Sequence, residues 1–594
     1  MKPKRLPVVV LTLLLLTAAG WWGYATLWGY IALANAPTAT AEPPQVVRIY
    51  YDTLDDLLQL QEYDVWEINN LREKYVLAAV SEASIPGIEA MGFRVMVDEA
   101  KTAVFRQDLR SQPFNNGYRT VAELYSDLEA ANAAHPTLTE LVTYGQSHCQ
   151  IQGNCVTPNG DTIPGHDLRA LRITNEAIPG GSVISGTQII SSTKPVLFVM
   201  ANIHAREITT PELAMRLADW LLDGYGTDPD ATWLVDWHEI WIVPSANPDG
   251  HWLVELGTQP PYNGNPLNQR KNANRDANND GVPDCNAWPP SDGSQFGVDL
   301  NRNHSFGWGP PGSSANPCSL IYRGPRPASE VEISQLEAFV ASIIPDQRGP
   351  KFTDVAPADT QGIFITLHSY SRLVLWPWGF TSTAAPNKAG LEAIGDKLAT
   401  YNGYLSCQPT TCLYGANGTS DDWAYAQLGV PAFTFEIGSS FMPPYDQIDS
   451  EQWPANGPAL QYAAKIARAP YQQAFGPDIT AVSTHTPTLT LHATLSDANN
   501  GGQPIAAAAY TVDTPFWAEG AAPQPLQADD GAFDEVVEET TAVYDPTTLT
   551  PGRHLVFLHA QDSAGNWGAV SAVFLDVAET VPRYRQYLPL ISKN

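Results

Sequence analysis

The segment Val196-Leu197-Phe198-Val199-Met200-Ala201-Asn202-Ile203-His204-Ala205-Arg206-Glu207 decides how the chain is read. Residues 196–200 are a short, purely apolar run, the pattern of a strand buried on both faces. Residues 210–222 carry helical periodicity. Between them stand His204 and Glu207, an i,i+3 pair on one turn that can converge on a borderline cation such as zinc. Two ligands do not make a site, so the rest of the chain has to supply a third ligand, a base and an oxyanion donor.

The alternation continues on both sides. From Tyr118 onward, further strands are read at 141–144, 168–173, 239–243, 363–367 and 432–435, and helices at 121–134, 211–222, 329–344 and 389–401. Strands alternating with helices predict an α/β domain with helices on both faces of a sheet. Functional groups in such folds gather at the carboxyl ends of strands. His204 follows one such end, His368 closes another and Glu436 a third. Upstream, residues 46–105 mix strand-like runs (46–51, 75–80, 93–97) with short helical ones (54–61, 85–91). They read as a small α+β unit ending in a polar stretch at 106–116. Past Pro477 the composition turns all-β: Leu489, Leu491, Ala493 and Leu495 alternate with polar partners, and further strands include 554–560 and 569–575. The turn signals Asn500-Gly501-Gly502 and Asp529-Asp530-Gly531 separate them, which predicts an immunoglobulin-like β-sandwich.

At 594 residues the chain exceeds one hydrophobic core, and about two to four domains are expected. Lysine and arginine number 33 against 63 acidic residues, a formal charge of −30. That balance argues against nucleic acid as a partner, since a nucleic-acid groove needs clustered Lys and Arg. Lys2, Lys4 and Arg5 precede an uncharged run from 6 to 36 and then Thr38-Ala39-Thr40-Ala41, the layout of an export signal cleaved near Ala41. The run is also long enough for an uncleaved anchor. Six cysteines group as Cys149/Cys155, Cys285/Cys318 and Cys407/Cys412, with no Cys-x-x-Cys motif. Behind an export signal they read as disulfides, and neighbour pairing is the simplest of about fifteen connectivities. A secreted or extracellular monomer is expected.

His368 ends the run Phe364-Ile365-Thr366-Leu367. Alone it reads as an ordinary hydrogen-bonded histidine; beside His204 and Glu207 it is the natural third ligand of a zinc site with one open position. Glu436 stands at the end of Phe433-Thr434-Phe435. A buried, unpaired carboxylate there is unfavourable, whereas one facing an activated water serves as base and proton shuttle.

In order along the chain come His204-x-x-Glu207, Asn247-Pro248-Asp249-Gly250, Gly297-Val298-Asp299-Leu300-Asn301-Arg302-Asn303, Leu367-His368-Ser369-Tyr370-Ser371 and Phe433-Thr434-Phe435-Glu436. Over roughly 118–475 they resemble the funnel-type zinc metallocarboxypeptidases, the family of pancreatic carboxypeptidases A and B and their bacterial relatives. The resemblance implies a mixed central sheet flanked by helices and zinc-dependent removal of the C-terminal residue of peptides and proteins. By position it implies that His204, Glu207 and His368 hold one Zn2+. Glu436 activates the attacking water and passes its proton to the leaving amine, while Arg270 steadies the tetrahedral oxyanion. Asn301 and Arg302 grip the terminal carboxylate, Tyr414 closes over it, and Arg206 and Tyr370 line the cleft. Asp421 stands where B-type enzymes carry the acid at the floor of the side-chain pocket, which favours terminal Lys or Arg.

Three alternatives stand beside this reading: broad or apolar specificity, an amidase acting on cell-wall peptides, and a non-catalytic zinc-retaining protein that binds a surface. Glu436 and Arg270 speak against the last, since a binder needs neither. The expected organisation is a signal peptide or anchor at 1–41, a prosegment at 42–112, a catalytic domain at 113–476, the sandwich at 480–580 and a tail at 581–594. Tyr587-Leu588-Pro589-Leu590-Ile591 in that tail raises cell-surface attachment through the C-terminal region, against the plainer reading of an edge strand or simple tail.

Between Arg270 and Asn301, Asp276-Ala277-Asn278-Asn279-Asp280-Gly281-Val282-Pro283-Asp284 matches the start of a calcium loop, but Ala287 stands where an EF-hand has its Glu. A smaller Ca2+ site on Asp276, Asn278, Asp280 and Asp284 is expected; the competing reading is a solvated acidic turn. A Cys285–Cys318 disulfide would tether the loop carrying Asn301 and Arg302. Asn202 has no assigned role, and His135, His148, His166, His238, His251 and His304 read as surface or packing residues. No Ser-His-Asp nucleophile motif and no glycine-rich phosphate loop is present.

Overall fold

Val196–Ala201 forms a strand buried at every residue, in the middle of the main sheet of the computed structural model. Its side chains are all apolar, so both faces accept helices. The structure describes residues 44–60, 62–108, 112–185, 188–190, 192–291, 293–486, 488–544 and 549–578. The expected signal or anchor at 1–41 and the tail at 581–594 lie outside the described residues. None of the described helices is long and apolar enough to cross a membrane.

The described chain begins with a four-stranded antiparallel sheet in the order β2-β3-β1-β4, from β1 Gln45–Tyr50, β2 Asp64–Asn70, β3 Tyr75–Val80 and β4 Arg94–Val97. Helices α1 Ile85–Ala90 and α2 Glu99–Asp108 complete this α+β unit. Periodicity missed β2, and it read part of α2 as a polar stretch. The reason for β2 is physical: it buries Asp64 along with Trp66, at 4% and 1% exposure, so its inward face is not apolar throughout.

Helix α3 Val121–Ala134 starts on a reciprocal capping box between Thr120 and Glu123. Eight strands then form one mixed sheet: β5 Thr139–Gln146, β6 Asp167–Ile173, β7 Val196–Ala201, β8 Glu239–Val243, β9 Ile363–His368, β10 Leu373–Leu375, β11 Leu405–Cys407 and β12 Ala432–Glu436. Their order is β11-β10-β12-β9-β7-β8-β6-β5. Strands β12, β9, β7 and β8 run parallel at the centre, with antiparallel partners on either side. Register places His368 opposite Glu436 and Ala201 opposite Leu367. The chain leaving β7 toward His204 therefore emerges beside His368.

Helices α4 Thr209–Gly224, α5 Pro229–Trp237, α6 Pro248–Leu256, α7 Val331–Ile343, α8 Lys388–Asn402, α9 Ser420–Leu428 and α10 Trp453–Ile466 pack against this sheet or one another. Periodicity missed α5, α6, α9 and α10. Helix α6 opens on Asn247-Pro248-Asp249-Gly250 and α10 contains Gly457-Pro458, and both carry residues that weaken a helical pattern. In the structure Asn247 caps α6, its Oδ1 accepting from the Gly250 N–H at 3.0 Å, with Pro248 in the first turn.

The short segment 474–477 separates the last helical turn, Pro470–Gln473, from β13 Asp478–His485. With β14 Thr490–Ser496, β15 Ile505–Val512, β16 Gln524–Pro525, β17 Val537–Val543, β18 Gly552–Asp562 and β19 Ser571–Val577, it forms two antiparallel sheets, β13-β14-β17 and β16-β15-β18-β19. Leu491, Leu495, Ile505, Val556, Leu558 and Leu575 form a shared core of their own. The cysteines pair as Cys149–Cys155, Cys285–Cys318 and Cys407–Cys412, the neighbour pairing.

The sandwich is bound closely to the α/β part. Trp517 packs on Trp233 and Trp237 of α5, with the Arg468 guanidinium 4.1 Å above its ring. Lys397 of α8 forms a buried ion pair with Asp478, flanked by the rings of Tyr401 and Tyr462. Because α5 feeds the start of β8, this seam lies at the amino ends of the parallel strands, the pole opposite His368 and Glu436. Breaking one partner of a buried ion pair leaves the other charge stranded. Asp478→Ala should therefore destabilise the chain by about 3–5 kcal/mol in denaturant unfolding, and Asp478→Leu with Lys397→Met should recover most of it.

Candidate active site

After Ala201 the backbone passes through Asn202 at φ 55°, and residues 203–207 form a tight loop ahead of α4. His204 Nδ1 lies 2.8 Å from Glu207 Oε1 and 3.1 Å from His368 Nδ1, which is 3.1 Å from Glu207 Oε2. All three side chains are buried. Ligands of a tetrahedral zinc ion stand about 3.3 Å apart, so this spacing fits one small cation. The donor set agrees. Two imidazole nitrogens that face each other cannot both carry a proton, and a divalent ion satisfies both lone pairs while neutralising a buried carboxylate. Among the described residues this is the only group of three His, Cys, Asp or Glu side chains placed to share an ion.

Sequence reasoning missed Asp299. It is fully buried and lies 3.1 Å from His204 Nε2, which holds the ring proton there and leaves Nδ1 open. It also accepts from the Asn301 N–H at 3.0 Å and from Arg270 Nε at 3.1 Å. Burial alone would raise its pKa, but the charges of Arg270 and His204 hold it well below the usual carboxylate range. Its place in the Asp299-Leu300-Asn301-Arg302-Asn303 run, two residues from the proposed clamp, was the available signal.

One cavity is lined by His204, His368, Glu436, Arg270, Asn301, Arg302, Tyr414 and Asp421, which come from segments spread over more than 200 residues. The Arg302 guanidinium is anchored on two carbonyls, Gly312 O at 3.0 Å and Asn301 O at 2.9 Å. The Asn301 amide oxygen accepts from Ser420 N at the start of α9 at 2.9 Å, and its nitrogen lies 3.4 Å from His368 Nε2. Leu375, Pro409 and Leu413 line the same cavity as Asp421. Beneath it, Asp422 accepts from the N–H groups of Gly379 and Phe380, and burial, followed by the Asp421 charge, pushes its pKa well above the carboxylate range. The Cys407–Cys412 disulfide braces the loop that carries Leu413 and Tyr414.

Arg206 and Tyr370 do not line this cavity; β2 lies over them. Asp64 makes a bidentate pair with the buried Arg206 at 2.7 and 2.8 Å. Trp66 packs on Tyr370 and Phe441, with ring centroids 5.4 and 6.0 Å away. The Tyr414 hydroxyl donates to Val65 O at 3.3 Å, and the Asn69 amide donates to Cys412 O at 3.1 Å. The N-terminal unit thus grips the neighbourhood of the cavity through four residues of one strand.

The calcium expectation finds no support. Asp276 accepts from the Asp280 and Gly281 N–H groups, Asp280 from Val282, and Asp284 from Ala277, at 2.7–3.0 Å. The Asn278 amide nitrogen donates to Asp284 Oδ1 at 2.8 Å, and its oxygen accepts from the Asp280 N–H at 2.9 Å. The loop closes on its own backbone, as a turn does. The histidines set aside as surface or packing residues divide: His238, His251 and His304 are fully buried, and His251 Nδ1 reaches Asn202.

The zinc carboxypeptidase family model matches residues 124–453. Carboxypeptidase A2 of Rattus norvegicus is 26% identical over 421 residues, covering 66% of this chain and 85% of the relative. Carboxypeptidase B of Astacus astacus is 30% identical over 270 residues, 43% of this chain and 75% of that protein. The crystal structure of carboxypeptidase A from Helicoverpa armigera shares the fold, with a TM-score of 0.52 at 19% identity over 72% of this chain and 98% of that one. A matched region spanning more than half of the chain, on the sheet described above and around a buried His-Glu-His cluster, shows that the chain belongs to the zinc carboxypeptidase family.

Proposed function

We propose that this chain is the precursor of an exported metallocarboxypeptidase that removes C-terminal residues from peptides and proteins, with a preference for lysine and arginine. The observation that carries the reading is the convergence on one cavity of the His-Glu-His cluster, Glu436, Arg270, Arg302 and Asp421. His204, Glu207 and His368 would hold the zinc. Bound there, zinc lowers the pKa of a water ligand and polarises the scissile carbonyl. Glu436 takes a proton from the attacking water and delivers it to the departing amine nitrogen. Arg270, oriented by Asp299, faces the oxygen on which negative charge develops. Asn301 and Arg302 hold the substrate's terminal carboxylate, and Tyr414 closes over it. A guanidinium at the closed end of a pocket rewards a free carboxylate and excludes a continuing chain, so the action is exopeptidic.

Asp421 supports the basic preference. Asp421 lines the cavity along with the apolar side chains of Leu375, Pro409 and Leu413, while its neighbour Asp422 is pushed toward the neutral form. A terminal ammonium or guanidinium pairs with that charge; a terminal Leu or Phe leaves it poorly solvated.

Residues 42–112 are read as a prosegment that restrains the enzyme, 113–476 as the catalytic domain and 480–580 as the sandwich. The Asp64–Arg206 pair, the Trp66 contact on Tyr370 and the Tyr414–Val65 bond support the restraint, because the last holds a side chain that lines the cavity and the others fasten the same strand beside it. Three disulfides suit an oxidising, extracellular destination. The seam at the pole opposite Glu436 suits attachment through the C-terminal region, which would leave the cleft free.

Three measurements test this. Glu436→Gln should bind one zinc per chain yet lose about 10²–10⁴-fold in kcat on a peptide ending in lysine, and zinc bound by a processed wild-type chain that shows no turnover would favour a binding protein instead. Asp421→Ala should lower kcat/KM for Lys- and Arg-terminated peptides by roughly ten- to a hundredfold and raise it for Leu and Phe; unchanged turnover of the basic peptides removes the pocket-floor assignment. Asp64→Ala should raise the peptidase activity of the uncleaved precursor by at least about tenfold, the scale of one lost charge-assisted contact, with the processed enzyme unaffected.

A further inference from the structure

Asn202 drew no role from the sequence, and neither the clamp nor the general base uses it. It is wholly buried and sits at φ 55°, a conformation open at little cost to Gly, Asn and Asp alone. Its side-chain amide is saturated. Nδ2 donates to the carbonyl oxygens of His204 at 3.2 Å and Ala205 at 3.1 Å. Oδ1 accepts from Ser245 Oγ at 2.9 Å and from His251 Nδ1 at 2.8 Å. Carbonyls can only accept, so the orientation of the amide is settled by its partners. Its backbone N–H donates to Thr210 Oγ1 at 3.0 Å, and that hydroxyl donates to Glu207 O at 2.8 Å. Asn247 adds a second amide from the cap of α6, donating to Ile203 O at 3.1 Å. The Ala205 N–H donates to Arg270 O at 3.0 Å.

Residues 203–207 belong to no helix or strand, and within the loop only the Glu207 N–H reaches a loop carbonyl, His204 O at 3.1 Å, so the other peptide groups need partners from elsewhere. Two side-chain amides supply them, and both are rooted in rigid elements: the end of β7 and the cap of α6. Each carbonyl from Ile203 to Ala205 is held by one of them. Asn202 thus holds the carbonyls on either side of the turn from His204 to Ala205, between the two side chains of the cluster that the loop carries.

We propose that Asn202 is a positioning residue for the metal: its amide holds the loop so that His204 and Glu207 meet His368 already arranged for an ion. This rests on the reading of those three side chains as zinc ligands. The test uses the full chain as wild type, Asn202→Gly, Asn202→Asp and His204→Ala. Asn202→Gly keeps the left-handed backbone and removes the amide. Asn202→Asp keeps the shape and the acceptors but loses both donors to the loop carbonyls. Zinc dissociation constants are read by chelator competition, and ligand geometry by the visible spectrum of the Co2+-substituted chain. Both Asn202 variants should bind zinc about ten- to a hundredfold more weakly than wild type, the scale for losing support behind a ligand, with a shifted cobalt spectrum. Wild-type affinity and an unshifted spectrum in either variant overturn the proposal. If the wild type binds one zinc and His204→Ala does not, that failure concerns Asn202 alone; if His204→Ala binds zinc as the wild type does, the ligand assignment falls and Asn202's role falls with it.

Discussion

Two imidazole nitrogens and a carboxylate stand within 3.1 Å of one another in the buried heart of this protein, and much of the surrounding structure serves to keep them there. Such a cluster without a cation combines facing lone pairs with a buried negative charge, which the interior of a protein resists. Its geometry comes from large-scale features. Parallel β7 and β9 are locked in register, so the loop after Ala201 and the end of the strand at His368 emerge side by side. Behind the three side chains, Asp299 holds the far nitrogen of His204 and Arg270 together, which joins the cluster to the positive side of the cavity.

The flanking regions are attached by the same kind of contact with opposite consequences. Asp64–Arg206 fastens the N-terminal unit beside the cavity, and Lys397–Asp478 fastens the sandwich at the far pole. Both are buried ion pairs ringed by aromatic side chains: Phe441 lies under Arg206, and Tyr401 and Tyr462 flank Lys397. A buried pair is specific because either partner alone is costly to desolvate. It therefore sets where each unit docks more strictly than an apolar patch of the same size would. One docking site covers the rim of the cavity, and the other leaves the cavity untouched.

The central strands were legible in the sequence because they are uniformly apolar: 239–243 is an element to the residue, and 196–200, 363–367 and 432–435 each stop one short of the observed end. Helix 121–134 was equally plain, with its cap written in Thr120 and Glu123. The elements that escaped had their local signals reversed by context. Strand β2 buries an aspartate because an arginine meets it there, and α10 accommodates Gly457-Pro458 inside a helix. The acidic stretch at 276–284 reads two ways: its spacing resembles an ion-binding loop, and its side chains accept from their own backbone as those of a turn do.

Sequence alone settled the α/β class, the ends of the parallel strands and the residue types that collect there, since periodicity and motif spacing are properties of neighbouring residues. It named His204, Glu207, His368, Glu436, Arg270, Arg302 and Asp421 without showing that they share a cavity. The tertiary structure decided what depends on distant segments meeting: Asp299 behind His204, Asn202 beneath the loop, and Asp64 on Arg206 across 142 positions of chain. Nothing in the local pattern around Asp64 or Asn202 distinguishes them from an exposed acid or a turn residue. Their environment exists only once folding brings a guanidinium to the one and two loop carbonyls to the other.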